Sequence, residues 1–198
     1  MSDISAMISA SIQDKARVIE ILSTSFDQNK SVNQLIKQDG RRLQRIRMLM
    51  EYAFDECMEF GQVVISKNRD CCALVLFDER KRFSFRSLFR DLKLVFLISG
   101  LGNIGRVMAK ERMVKLVHQE LTQGKPAYHL WFIGVDPSVQ GQGEGSHLLA
   151  AILAESKALG RLLLLETSTE KNLPFYAKLG LKIYKEIDVG YPIYLLSY

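Results

Sequence analysis

Residues 131–153 read WFIGVDPSVQGQGEGSHLLAAIL, and this one stretch limits the folds open to the chain. Its spacing predicts a buried strand, a turn opened by Asp136 and Pro137, a loop carrying Gly141, Gly143 and Gly145, and then a helix. Glycines let backbone approach a ligand with no Cβ in the way, and a helix start turns unpaired N–H groups toward the loop. Such a place favours an anion, and a pyrophosphate above all.

The rest of the chain has the means to bury that unit. With 198 residues, 47% of them hydrophobic and 25% charged, one sizeable core and one domain over 1–198 are expected. Residues 1–83 read as N-terminal helices and a hairpin, 84–126 as a helical insert, and 127–198 as the half that holds the loop. The net charge of +5 comes from basic residues scattered through the first 125 positions. Arg41, Arg42, Arg45 and Arg47 form only a short cluster, so no nucleic-acid partner is expected. Cys57, Cys71 and Cys72 show neither CxxC spacing nor a disulfide framework, which points to a reduced, cytoplasmic protein. Residues 1–10 lack the basic start of a signal peptide. The most apolar run, 92–101, is broken by Lys93 and is shorter than the roughly 20 residues of a membrane span. It reads as a buried helix, with no membrane partner; a homodimer stays open.

In chain order, 16–26 places Val18, Ile19, Leu22 and Phe26 at helical spacing behind Asp14 as N-cap. A longer helix over 32–60, interrupted near Asp39 and Gly40, carries an apolar face of Leu43, Ile46, Leu49, Met50, Ala53 and Cys57. Glu51, Asp55 and Glu59 recur on another face, as a solvated stripe or a seat for a cation, and Arg47 stands one turn before Glu51. Residues 61–66 and 71–77 are rich in β-formers around a polar turn and predict an antiparallel hairpin. Gly100, Gly102 and Gly105 are expected to split the insert into two helices. After the glycine loop come a helix closed by Gly160, the continuous apolar strand 161–167, a short helix 173–179 between Asn172 and Gly180, and two strands around Gly190. The sum is an α/β fold with a mixed sheet and no repeat.

Three phosphate loops fit glycines of this kind. A nucleoside-triphosphate loop needs a lysine before its Ser or Thr, and Gly145-Ser146 has none. A dinucleotide fingerprint wants its third glycine where Ser146 stands and its glycines directly after the strand; Glu166, roughly twenty residues on, keeps that reading in second place. The third is QxxGxG, met by Gln140, Gly143 and Gly145. It follows a strand ending in GVDP, opens a helix, leads into LLLLET and is followed by NLPFYAKLGL. From Tyr128 onward the sequence thereby resembles the GNAT N-acetyltransferases, and within them the puromycin acetyltransferase-like group, whose ending runs ETS…NLPFYERLGF.

The resemblance implies the GNAT fold: a mostly antiparallel mixed sheet, splayed at the cofactor strand and flanked by helices, with residues 84–126 as an elaboration before that strand. It implies acetyl-CoA as co-substrate. Backbone of Gln140, Gly141, Gln142, Gly143, Gly145 and Ser146 would hold its pyrophosphate, and that of Ile133 and Val135 its pantetheine arm. Gly134 between them would help a bulge or merely allow close packing. Tyr176 stands where many of these enzymes keep a general-acid tyrosine, a phenol able to protonate the leaving thiolate. In much of the superfamily an asparagine stands seven residues before that tyrosine; here that position is Thr169, and Asn172 is either a cofactor contact or only an N-cap. Glu166 would take the amine's proton or bind its cation. His129, sharing a strand face with Trp131 and Ile133 by alternation, reads as a core residue. His118, His129 and His147 show no ligand spacing in sequence, so no metal is implied. The expected activity is acetyl transfer to the amine of a small molecule by direct attack, because no cysteine lies between loop and tyrosine. A protein or peptide acceptor, or a silent coenzyme A sensor, is the alternative.

Overall fold

The computed structural model describes residues 7–82, 85–94, 98 and 104–198. Its elements run β1 (Met7–Ser9), α1 (Lys15–Ser25), α2 (Lys30–Leu35), α3 (Arg42–Phe60), β2 (Gly61–Ser66), β3 (Cys71–Leu76), α4 (Phe85–Lys93) and α5 (Ile104–Thr122), then β4 (Ala127–Val135), α6 (Glu144–Ala158), β5 (Leu162–Thr167), α7 (Leu173–Lys178), β6 (Lys182–Asp188) and β7 (Pro192–Ser197). The strands form one sheet in the order β1-β2-β3-β4-β5-β7-β6. Neighbours are antiparallel except β4 and β5. The mixed, mostly antiparallel sheet expected from sequence is therefore present.

Burial explains the layering. All six residues of β3 are buried, so both faces of the hairpin are covered. On one face α1 and α3 pack Leu22, Leu49, Met50 and Phe54 against Ile65, Leu74 and Phe132. On the other, α6 and α7 pack Leu148, Leu149, Ile152 and Tyr176 against Val75, Tyr128, Leu130 and Leu163. A third, smaller cluster sets Val114 of α5 on Ile187, Ile193 and Leu195 of the last hairpin. The insert helix thus rests on β6 and β7.

Several expectations shift locally. The interruption near Asp39 separates α2 from α3, as the Asp-Gly pair suggested. Leu43 is 63% exposed and leaves the apolar face, because α3 begins only at Arg42 and its first turn projects beyond the sheet. Asp14 does not cap α1: its carboxylate accepts from Ser11 N at 2.9 Å, closing a capping box one turn earlier, and pairs with Arg69 at 2.9 Å. The acidic stripe is internally paired, Asp55 with Lys15 at 2.6 Å and Glu59 with Arg90 at 2.7 Å. Leu92 is 46% exposed on α4, so the run 92–101 is not a uniformly buried helix; Ile98 is buried, and Gly100 and Gly102 lie outside the described residues. Gly105 sits inside the first turn of α5 and does not break it. The strand β1, too short for periodicity to reveal, adds to the sheet edge through Met7, Ile8 and Ser9. Among the described residues no helix is long and apolar enough to cross a membrane.

Candidate active site

The site begins with a defect in β4. Its register against β3 slips between Leu74/Phe132 and Val75/Leu130, leaving Trp131 as an extra residue. A bulge reverses the alternation that a regular strand imposes. Tyr128 and Leu130 before it, and Ile133 and Val135 after it, therefore meet the α6 face, while Trp131 and Phe132 meet the α1–α3 face. His129, Trp131 and Ile133 do not share a face as alternation suggested. The bulge is also not at Gly134. A Cβ on Gly134 would lie 2.9 Å from Leu22 Cδ2 and 3.0 Å from Ser25 Oγ, so this glycine lets α1 press onto the strand.

Just before the bulge, β4 and β5 part. They pair only through Ala127–Leu162, Tyr128–Leu163 and His129–Leu164, after which Leu165, Glu166 and Thr167 pair with β7 instead. The wedge between them is a cleft of about 700 Å³, and both the glycine loop and Tyr176 line it.

The loop is braced from behind. Asp136 accepts from Ser138 N at 2.9 Å and pairs with Arg17 at 2.6 Å. Hydrogen bonds from the Ser138 hydroxyl and amide, then from Arg17, hold its carboxyl down at about 2. Gln140 Nε2 donates to the Val135 carbonyl at 3.3 Å, and Ser25 Oγ donates to the same carbonyl at 3.0 Å. Gly141 and Gly143 take φ values of 84° and 92°, where a Cβ is costly, with open space on the side a Cβ would occupy. Gly145 packs closely instead, its Cβ position 3.1 Å from Val135 Cγ2. The N–H groups of Gln142 and Ser146 are engaged within the loop, by Val139 O at 3.4 Å and Gly143 O at 2.9 Å. By position, the open donors at the start of α6 are those of Gly143, Glu144 and Gly145. Such a cradle fits a pyrophosphate. Glu144 joins the set through its backbone, a contribution that side-chain identity hides.

At the other wall stands a cluster that sequence reading did not assemble. Glu166 lies 2.6 Å from His118 Nε2 and 3.1 Å from His129 Nε2, and the two imidazole rings meet edge to face at 5.1 Å. His118 comes from the insert helix, His129 from β4 and Glu166 from β5, so their separation along the chain concealed them. The histidines show no ligand spacing along the sequence, yet two of them meet a carboxylate in space. Burial alone would raise Glu166, but the His129 charge and the close contacts of both imidazoles outweigh it and hold the carboxyl well below its usual range. Burial would lower His129, yet the Glu166 charge and hydrogen bond raise it. Donor atoms of the three lie within 4.8 Å of one another, a set able to take a divalent ion. His129 Nε2 and Glu166 Oε2 share a proton, while His118 Nε2 and Glu166 Oε1 face each other closely without hydrogen-bond geometry.

Tyr176 is buried on α7 beside Phe175, ring centroids 5.2 Å apart. Burial first, and the Glu166 charge second, push its phenol up to about 12, so it remains an O–H donor at neutral pH. Asn172 lines the cleft and occupies the N-cap position of α7, but its side chain makes no capping bond. Thr169 instead meets Asn29 Nδ2 at 3.4 Å, and Ser168 Oγ accepts from Ser31 N at 3.3 Å. These two contacts tie the α1–α2 turn to the end of β5.

With the geometry in place, comparison with known proteins is informative. An acetyltransferase (GNAT) domain model matches residues 104–183. A glucosamine 6-phosphate N-acetyltransferase of Trypanosoma brucei brucei is 32% identical over 82 residues, 41% of this chain and 54% of that protein. The chain thus spans about half the length of the curated relative it matches. Among solved structures, histone acetyltransferase HPA2 and related acetyltransferase from Corynebacterium glutamicum superposes with a TM-score of 0.65 at 16% identity, covering 97% of this chain and 94% of that one. Arylalkylamine N-acetyltransferase 2 from Aedes aegypti gives 0.65 at 14% identity, with 97% of each chain covered. At these identities the likeness is one of fold.

Proposed function

We propose that the chain is a GNAT acetyltransferase that moves acetyl from acetyl-CoA to the amine of a small molecule by direct attack in a ternary complex. The GNAT domain match over residues 104–183, the related N-acetyltransferase sequence and the shared fold support this reading. One observation supports the reading: where β4 and β5 part, the glycine loop, a protonated tyrosine and an anionic carboxylate line a single cleft. Acetyl-CoA supplies the activated acyl group, with its pyrophosphate at the α6 start and its amide-bearing arm along Ile133 and Val135.

The acceptor enters as an ammonium ion and must lose a proton before its nitrogen can attack. Glu166 draws the cation toward the thioester and takes the proton directly or through a water that passes it to solvent. A carboxyl held this far below its usual range keeps a proton poorly, so it relays the proton onward and does not store it. The new N–C bond forms as the C–S bond breaks, and Tyr176 gives its proton to the departing thiolate. Covalent transfer through sulfur is disfavoured. Cys71 Sγ lies 3.9 Å from the Glu144 carbonyl, but burial pushes its thiol up and away from the nucleophilic thiolate. All three cysteines are free and buried, in keeping with a cytoplasmic setting.

Tyr176→Phe tests the assignment. The ring and its packing remain while the proton donor is lost, so kcat should fall by about 10- to 100-fold with acetyl-CoA affinity unchanged. A variant with wild-type kcat would remove Tyr176 from the mechanism.

A further inference from the structure

The acceptor end of the cleft has a chemistry of its own. Opposite the glycine loop, its wall is built by Phe26, Val32, Leu35, Leu49, Trp131 and Phe132. The aromatic members form a continuous group: Phe26 and Phe132 meet edge to face at 5.0 Å, Phe132 and Trp131 lie 5.2 Å apart, and Tyr52 backs the indole at 6.2 Å. The bulge brings Phe132 into this group beside Trp131, because a regular β4 would have turned it with Leu130 to the other face. Trp131 is only partly buried and keeps ring surface for a ligand.

We infer that the acceptor is a primary amine carried on an aromatic or similarly bulky apolar body, and not a phosphorylated sugar or a linear polyamine. The inference rests on the acetyl-transfer reading above and deepens it. A ring that buries roughly 100 Å² against this wall gains about 50- to 100-fold in affinity, and edge-to-face geometry with Trp131 or Phe132 adds to it. The charged groups point the same way. A sugar phosphate requires a fork of guanidinium or ammonium donors. Among the described lining residues there is no arginine, and the lysines are Lys110, 3.5 Å from Glu111, and Lys171, next to Asn172 on the segment leading into α7. The helix start that would otherwise take a phosphate belongs to the pyrophosphate. A polyamine needs an anion for each of its cations. Of the described lining carboxylates, Glu144 belongs to the glycine loop and Glu111 lies beside Lys110, so Glu166, held between two imidazoles, is the anionic point for one ammonium group beside the apolar wall.

The full-length chain can be assayed by thiol release from acetyl-CoA, with acetyl-CoA binding measured separately by calorimetry. Tryptamine and phenethylamine would be compared with spermidine, agmatine and glucosamine 6-phosphate. The expected result is a kcat/KM at least tenfold higher for the two aryl amines. Trp131→Ala should raise the KM for tryptamine about tenfold, leave acetyl-CoA affinity unchanged, and be largely rescued by Trp131→Phe, which a mere folding defect would not show. Equal or better turnover of spermidine, agmatine or glucosamine 6-phosphate overturns the acceptor class while acetyl transfer stands, and so does an unchanged tryptamine KM in Trp131→Ala. Acetyl-CoA binding with no thiol release from any of the amines overturns the acetyl-transfer reading itself, and this inference with it.

Discussion

Replacing Glu166 with glutamine tests how the buried cluster is held together. In the folded protein the carboxylate faces His118 at 2.6 Å and His129 at 3.1 Å, with its side chain only 16% exposed. Removing one member of a buried ion pair costs about 3–5 kcal/mol. Glutamine keeps the shape and one hydrogen bond, so the lower end, about 3 kcal/mol, applies. For a chain of 198 residues that is roughly 6–12 °C in Tm. The pH dependence is more telling than the size. Glu166 is depressed from 4.5, so its contribution is present above 4.5 and lost as pH falls through the lower folded value. His129 is raised from 6.5, so its contribution is complete below 6.5 and lost as pH rises through the higher folded value. The deficit of Glu166→Gln should therefore be greatest between pH 4.5 and 6.5 and shrink on the alkaline side. Because Glu166 and His129 are in direct contact, any midpoint belongs to the pair and not to one residue. Thermal melts of both proteins from pH 4 to 9 provide the measurement. Parallel Tm curves, offset by the same amount at every pH, would refute the proton-sharing account, even if the variant were inactive.

Two glycines give opposite tests of the loop and the strand before it. Gly134→Ala forces a methyl group to within 2.9 Å of Leu22 and 3.0 Å of Ser25, an overpacking of about 1–3 kcal/mol visible in denaturant unfolding; unchanged stability would mean that α1 is not pressed on β4. Gly143→Ala has room for its methyl group, but its φ of 92° is strained for alanine by about 1–2 kcal/mol. That loss should appear as roughly tenfold weaker acetyl-CoA binding by calorimetry, and equal affinity would show that the loop does not need this conformation.

Much of this was legible in the amino-acid order because it depends on neighbours along the chain. The hairpin between Gly61 and Leu76, the turn at Asp136 and Pro137, the helix start at Gly143 and the stop at Gly180 each follow from residues within a few positions of one another. Periodicity and turn chemistry act over that range. The glycine loop could be recognised for the same reason, since its donors are backbone groups set by local conformation. Even the wedge between β4 and β5 followed from the resemblance of one contiguous stretch.

What only the tertiary structure decided involves residues far apart, or a single displaced one. The bulge at Trp131 is invisible to alternation, because one extra residue leaves the composition of β4 unchanged while reversing every face after it. That reversal sends Ile133 and Val135 toward α6 and leaves Trp131 and Phe132 to shape the acceptor wall. His118 has no local signal at all: it lies on an exposed helix of the insert and meets Glu166 only because Val114 docks on the last hairpin. The sequence alone determined the glycine loop proposed to hold a phosphate, since its donors are consecutive backbone groups. Where the proton goes, and which acceptor fits, depended on three buried side chains and one apolar wall that only packing brings together.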